Sequence, residues 1–132
     1  KVKNVLLPDG VSVVTHDLPQ ASKLSGSALA RYEFALAGGT ASVQADAIFQ
    51  SKMCFTVMCA PVEREGGYGV ANSRIGFTTA NEKVDVSLTV SNIFNRAYRV
   101  YAFDGSLYWG DTLGVYAKPR TWALTLRYNF GK

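Results

Sequence analysis

The feature that most constrains this chain is a two-residue alternation sustained over long runs. From Arg120 to Phe130, Trp122, Leu124, Leu126, Tyr128 and Phe130 fall on one side. Thr121, Ala123, Thr125, Arg127 and Asn129 fall on the other. Successive side chains of a strand point to opposite faces, so this pattern describes a sheet with one apolar and one polar face. Val84, Val86, Leu88 and Val90 alternate in the same way with Asp85, Ser87, Thr89 and Ser91. The run from Leu24 to Leu36 places Ala28, Ala30, Tyr32, Phe34 and Leu36 together, with Leu29 as an exception. Ala41 to Ser51 does so with Ala41, Val43, Ala45, Ala47 and Phe49, with Ile48 as an exception. Tyr68 to Thr78 alternates more weakly, through Ala71, Ser73, Ile75 and Phe77. The prediction is an all-β chain, an antiparallel meander of about five long strands.

The connections alternate in length. Short turns are predicted at 37–40, where Gly38-Gly39 accepts positive φ, and at 79–83, "TANEK". Long connections span 52–67 and 100–117, and the first strand is preceded by residues 1–23. In "VDVSLTVSNIFNRAYRVYAF", residues 84–103, the alternation breaks at Asn92-Ile93-Phe94-Asn95, and aromatics follow. A bulge or change of register is expected at that break.

The 132 residues suffice for one domain, and no linker divides them. The net charge of +4 is spread along the chain among acids rather than gathered into a stripe, which argues against a nucleic-acid partner. No apolar run reaches the roughly 18 residues of a transmembrane helix. The chain opens without Met in a polar-apolar stretch and is expected to be a C-terminal piece of something longer. Cys54 and Cys59, in "KMCFTVMCAP", are expected to close a small disulfide loop in an oxidising compartment, free thiols being the alternative. Zinc would need more ligands, and the one histidine, His16, is distant in sequence, so neither metal nor cofactor is expected. No catalytic set is visible and an enzyme is not expected. His16 has no nucleophile to pair with, "GGYG" at 66–69 lacks the Lys-Ser/Thr of a phosphate loop, and Glu63 and Glu65 beside Arg64 read as a solvated charge cluster.

Alternation alone suits a soluble sandwich. Three features point elsewhere. The runs reach about eleven residues, where strands usually have about five or six and membrane strands about 9–11. Short turns at one end and long loops at the other are the asymmetry of outer-membrane barrels. Aromatics gather near strand ends: Tyr98, Tyr101, Phe103, Tyr108, Trp109 and Tyr116 on the long-loop side, Tyr128 and Phe130 on the other. Such side chains suit a membrane–water boundary. In lipid, strands cross only as a closed barrel, and five do not close one of this kind, so the segment is expected to be one stretch of a larger wall.

Two motifs carry a resemblance. "NIFNRAY", Asn92 to Tyr98, resembles the Asn-Leu-Phe-Asp-x-x-Tyr element near the C-terminus of TonB-dependent outer-membrane receptors. "VYAKPRTWALTLRYNF" resembles that family's last strand, with Tyr116, Pro119, Arg120 and the terminal aromatic Phe130 in matching places. "LPQASKLSGSALARYEF" resembles a loop leading into a strand some four strands earlier. Ile93 and Asn95 stand where Leu and Asp are commoner, and Gly131-Lys132 follow the aromatic that usually ends the chain.

The resemblance implies the C-terminal segment of a 22-stranded transmembrane β-barrel with a plugged lumen, in the bacterial outer membrane. It implies TonB-energised uptake of a scarce ligand such as a ferric siderophore. The partners implied are outer-membrane lipid, the rest of the barrel and its plug, the barrel-assembly machinery, and the TonB complex through an N-terminal part not in this chain. Residues 1–23, 52–67 and 100–117 are then extracellular loops. Arg96, Arg99, Tyr101, Tyr108, Trp109 and Lys118 are candidates to attract and stack on an anionic ligand. The competing expectation is that these aromatics form the outer belt and that Arg96 and Arg99 serve barrel packing or lipopolysaccharide contacts. Arg31, Glu33, Gln44, Asp46, Arg74, Asp85 and Arg127 face the lumen, where they contact a plug or pair with one another. Trp122, Leu124, Leu126, Tyr128 and Phe130 form the implied assembly signal. The alternatives are a passive outer-membrane pore or structural wall, and a soluble β-sheet binding module.

Overall fold

The computed structural model describes residues 1–6 and 10–130. In chain order the elements are β1 (Val2–Leu6), β2 (Val13–His16), β3 (Ser25–Leu36), β4 (Gly39–Gln50), β5 (Met53–Cys54), a 3-10 turn (Pro61–Glu63), β6 (Arg64–Glu65), β7 (Tyr68–Thr79), β8 (Val84–Ser91), β9 (Arg99–Asp104), α1 (Ser106–Trp109), β10 (Thr112–Tyr116) and β11 (Thr121–Tyr128). Two compact units form. A sheet unit comprises 26–49, 69–96 and 118–132, and a loop unit comprises 1–25, 50–68 and 97–117. Three of the boundaries fall inside β3, β4 and β7, which is why no linker composition marks them.

The sheet unit is built on five antiparallel strands in the order β11-β8-β7-β4-β3. β3, β4 and β7 have 12 residues each, but β8 and β11 have 8, shorter than the sequence runs of about eleven. The β11–β8 ladder is unbroken, from Thr121 opposite Ser91 to Tyr128 opposite Val84. On its other edge β8 pairs with β7, Leu88 opposite Ile75 and Val86 opposite Phe77. Because register fixes faces, Trp122, Leu124, Leu126 and Tyr128 share a side with Val84, Val86, Leu88, Val90, Ile75 and Phe77. Asp85, Ser87 and Thr89 share the opposite side with Arg74, Thr78, Thr125 and Arg127.

The apolar side covers no core. Among the described residues of this unit, only Ala41 and Val70 are buried hydrophobic side chains. Leu124 is 74 % exposed and Tyr32 69 %, and Ile75, Phe49 and Leu88 also face outward. Tyr128 and Phe130 meet edge-on at the strand end, with centroids 4.7 Å apart.

The turns refine the sequence reading. At 37–40 the positive-φ residues are Ala37 and Gly38, so Gly39 is not the turn residue but the first residue of β4. Gly39 is there for close approach, since a Cβ would lie 2.4 Å from the Thr78 carbonyl oxygen. At 79–83, Asn81 Oδ1 accepts from Lys83 N–H and Thr79 Oγ1 accepts from Val84 N–H, closing the turn with side chains.

The break after Ser91 is a turn rather than a bulge within a continuing strand. β8 ends at Ser91, and Asn92 and Asn95 take φ values of 53° and 50°. Asn tolerates this left-handed region better than other side chains that carry a Cβ. Asn92, 4 % exposed, donates from Nδ2 to the carbonyls of Arg96 (2.9 Å) and Lys118 (3.2 Å) and accepts at Oδ1 from Arg96 N–H. Asn95 Oδ1 accepts from Arg120 N–H, and Arg120 Nη1 donates to the Ile93 carbonyl. The two stretches that carried the family resemblance are thus tied together side chain to backbone.

The connections read as long loops carry structure of their own in the loop unit. β1 pairs with β2, β5 with β6 and β9 with β10, all antiparallel. Strands as short as two residues show no readable alternation, so the sequence pattern passes over them. Among the described residues Phe55, Cys59 and Ala102 are the buried hydrophobic residues here. Among the described residues no helix is long and apolar enough to cross a membrane, which bears on helices only.

Candidate functional site

The loop unit is organised around charges that the sequence reading left in solvent. Glu63 is not a solvated carboxylate but 2 % exposed. It accepts from Thr56 Oγ1, from Ala60 N–H at 3.0 Å and from Asp104 N–H at 3.0 Å. A buried carboxylate is tolerable only when its lone pairs are taken up, and these three donors do that while tying 56–63 to β9. Glu65 is bound by Arg99 Nε at 2.8 Å, with side chains 13 % and 23 % exposed. The same guanidinium donates to the carbonyls of Val62 and Arg64. Arg99 therefore binds this strand–turn–strand together and is not free to meet a ligand, contrary to its place among the sequence candidates. Tyr101, half-buried, tilts against Phe55 at 6.2 Å and belongs to the same packing.

Cys54 and Cys59 are disulfide-bonded, with Cα atoms 5.3 Å apart. They form part of the wall of a cavity of about 510 Å³ whose lining also includes Leu24, Met53, Lys23, Lys52, Arg64 and Glu65. That volume lies within the range of small-molecule sites, roughly 300–1,000 Å³. Its carboxylates are already matched, Asp17 by Lys23 Nζ at 3.2 Å and Glu65 by Arg99. The hydrogen bond and charge of Lys23 hold the Asp17 carboxyl below the ordinary Asp value. Lys52 and Arg64 have no carboxylate partner among the described residues, and Arg64 Nε donates to the Cys59 carbonyl. The cavity thus offers an apolar and sulfur-lined wall with two uncompensated cations, an arrangement that favours an anionic solute with an apolar body.

No family model, no curated protein and no solved structure matches this chain.

The six loop candidates divide between the two units. Arg96 and Lys118 lie in the sheet unit, exposed, on the turn held by Asn92. Tyr108 and Trp109 lie exposed in α1 of the loop unit, Trp109 packing on Phe103 with centroids 5.8 Å apart. Lys52 and Arg64, which supply the cavity's unmatched charge, were missed. Their only sequence signal was proximity to the cysteine pair, and which cations are matched is decided by tertiary contacts. The expectation for His16 concerns a side chain outside the described residues, as does that for Gly131 and Lys132. No metal-ligand cluster occurs among the described residues.

On the polar face the sequence candidates do come together. Arg31 pairs with Glu33, Arg74 Nη2 lies 3.8 Å from Asp85 and 3.2 Å from Ser87 Oγ, and Asn72 donates to Asp46 at 2.7 Å. Arg31, Glu33, Gln44, Arg74 and Asp85 line one cavity of about 60 Å³, too small for a solute of any size. Arg127 sits directly opposite Asp85 in register but is exposed and forms no ion pair among the described residues. Of the two expectations for this face, mutual pairing accounts for Arg31, Glu33, Arg74 and Asp85, and Gln44 and Arg127 are left available.

Proposed function

We propose that this chain is a wall segment of a TonB-dependent outer-membrane receptor, the C-terminal five strands of a 22-stranded barrel that takes up a scarce, anionic ligand. The observation that carries this reading is the sheet unit's apolar face, long and continuous and with no core beneath it. Exposed to water, a face of this extent and a free sheet edge are aggregation liabilities. Against hydrocarbon the same face is the favourable solvent contact, and the rest of a closed barrel pairs the edges. The paired charges of the opposite face suit a polar lumen. The family assignment rests on the resemblance carried by Asn92–Tyr98 and by the stretch from Tyr116 to Phe130, and hydrogen bonds join these two stretches. In this reading the loop unit belongs to the extracellular vestibule, where Lys52 and Arg64 attract the ligand.

A paired substitution tests the membrane reading. Leu124→Arg puts a charge on the apolar face and Thr125→Arg puts one on the polar face. In a barrel wall the first costs about 2–4 kcal/mol near the bilayer midplane and the second little. On a soluble sheet both sites are surface positions and both changes stay within about 0.5 kcal/mol. Fractionation of cells expressing the full-length gene, followed by urea unfolding of the purified protein in vesicles, reads the difference. Recovery of the wild type from the soluble fraction, with Leu124→Arg harmless, would defeat the proposal.

A further inference from the structure

The sheet unit has a second cavity, on its apolar side. It is a groove of about 470 Å³ floored by Ala28, Ala47, Gly69 and Ala71 and flanked by Phe49 and Phe94. Small residues on three neighbouring strands lower the surface between two aromatic walls. Phe94 is 78 % exposed and belongs to the Asn92–Asn95 turn. Three cationic residues are attached to that turn. Asn92 holds the backbone of Arg96 and Lys118 together, and the Arg120 guanidinium lies on the carbonyl of Ile93, next to Phe94. All three cations are exposed, and none forms an ion pair among the described residues. No acid occurs in sequence from Val86 to Phe103 or from Thr112 onward, so local charge does not compensate them.

We infer that this is a binding site for an anionic membrane lipid, with one acyl chain in the Phe49–Phe94 groove and the phosphate among Arg96, Lys118 and Arg120. The occupant follows from charge complementarity. An apolar groove on a membrane-facing sheet accepts any acyl chain, but unpaired cations at its head favour a lipid of net negative charge over a zwitterionic one. Charge-assisted hydrogen bonds from guanidinium and ammonium groups then hold that lipid against exchange with its neighbours. The inference rests on the membrane reading above and goes beyond it in naming a specific lipid contact.

The test reads lipid contact at the groove. In a background with Trp109→Phe and Trp122→Phe, Phe94→Trp leaves one indole, at the groove. The protein is reconstituted in phosphatidylcholine vesicles, with chain-brominated phosphatidylglycerol or chain-brominated phosphatidylcholine as quencher. The expected result is a relative binding constant about fivefold or more in favour of phosphatidylglycerol. That preference is lost in the combined Arg96→Gln, Lys118→Gln, Arg120→Gln variant, and inorganic phosphate does not compete. Ala71→Leu, which fills the groove and leaves the cations, lowers quenching by both lipids. Circular dichroism confirms strand content in each variant. Equal quenching of the inserted protein by both lipids, or a preference that survives loss of the three cations, overturns the inference and leaves the membrane reading standing. Failure to insert into vesicles at all overturns both.

Discussion

Asn92→Ala is expected to destabilise the sheet unit by about 4 kcal/mol, a large share of the stability of an ordinary domain. Asn92 is 4 % exposed, and its side chain makes the contacts to Arg96 N–H, the Arg96 carbonyl and the Lys118 carbonyl. Each such bond is worth about 1 kcal/mol net, and more where the abandoned partner stays buried. Asn92 also sits at φ 53°, a conformation that Asn tolerates but that costs Ala roughly 1–2 kcal/mol. Asn92→Gly removes the same bonds and relieves the backbone, but it adds about 0.5–1 kcal/mol of chain entropy, giving a loss of about 3 kcal/mol. Asn92→Asp keeps the acceptor for Arg96 N–H but sets a carboxylate oxygen against two carbonyls, and should be no better than Gly. Urea unfolding in phosphatidylcholine vesicles, followed by strand circular dichroism, gives the three values from midpoints at constant slope. If Asn92→Ala lies within about 1 kcal/mol of wild type, the turn does not depend on this side chain and the reasoning fails.

Arg99→Met should destabilise the loop unit by about 3 kcal/mol, because it strands the nearly buried Glu65 carboxylate and the Val62 and Arg64 carbonyls. Hydrogen exchange of the Phe55 N–H, which donates to the Glu63 carbonyl at 3.0 Å, reports it locally. Arg96→Met, lacking an ion pair, should leave that amide unchanged. Cys54→Ser with Cys59→Ser should cost about 2 kcal/mol through the short loop the disulfide closes. The same exchange measurement, compared with the wild type under reducing conditions, checks it. Asp17 should titrate below the ordinary value of about 3.9 in a carboxyl-carbon NMR titration, and Lys23→Gln should return it toward that value. Since the folded pKa is the lowered one, the Lys23 contact contributes fully above the unfolded pKa and is lost as pH falls through the folded value. A contact unchanged down to pH 2 would contradict this.

Much of the sheet unit was legible in sequence because period-two alternation is a local property. Val84, Val86, Leu88 and Val90 declare a shared face whichever strand lies beside them, and the two ladders of β8 keep that face intact. The Asn92–Asn95 break was visible but its nature was not. A bulge and a turn both interrupt alternation, and the choice depends on the distant Lys118 carbonyl and Arg120 amide that meet the two Asn side chains. The sense of Gly39 was likewise hidden, because the Thr78 carbonyl that excludes a Cβ is some forty residues away. Little of the loop unit could be read. Its strands run from two to six residues, the longest, Arg99–Asp104, is apolar at four consecutive positions and so shows no alternation, and the roles of its charges are pairwise.

By itself, then, the sequence determined an all-β antiparallel sheet, its two faces and the turns between its strands, because each follows from residue spacing along one strand. Only the tertiary structure decided that Glu63 is buried and that Arg99 is bound to Glu65. It also decided that Lys52 and Arg64 keep uncompensated charge at a cavity, and that the backbones of Arg96 and Lys118 and the guanidinium of Arg120 are tied to the turn that carries Phe94. Those outcomes depend on which groups meet across long stretches of chain, and the energy of a charge depends less on its identity than on what lies within a few ångströms of it.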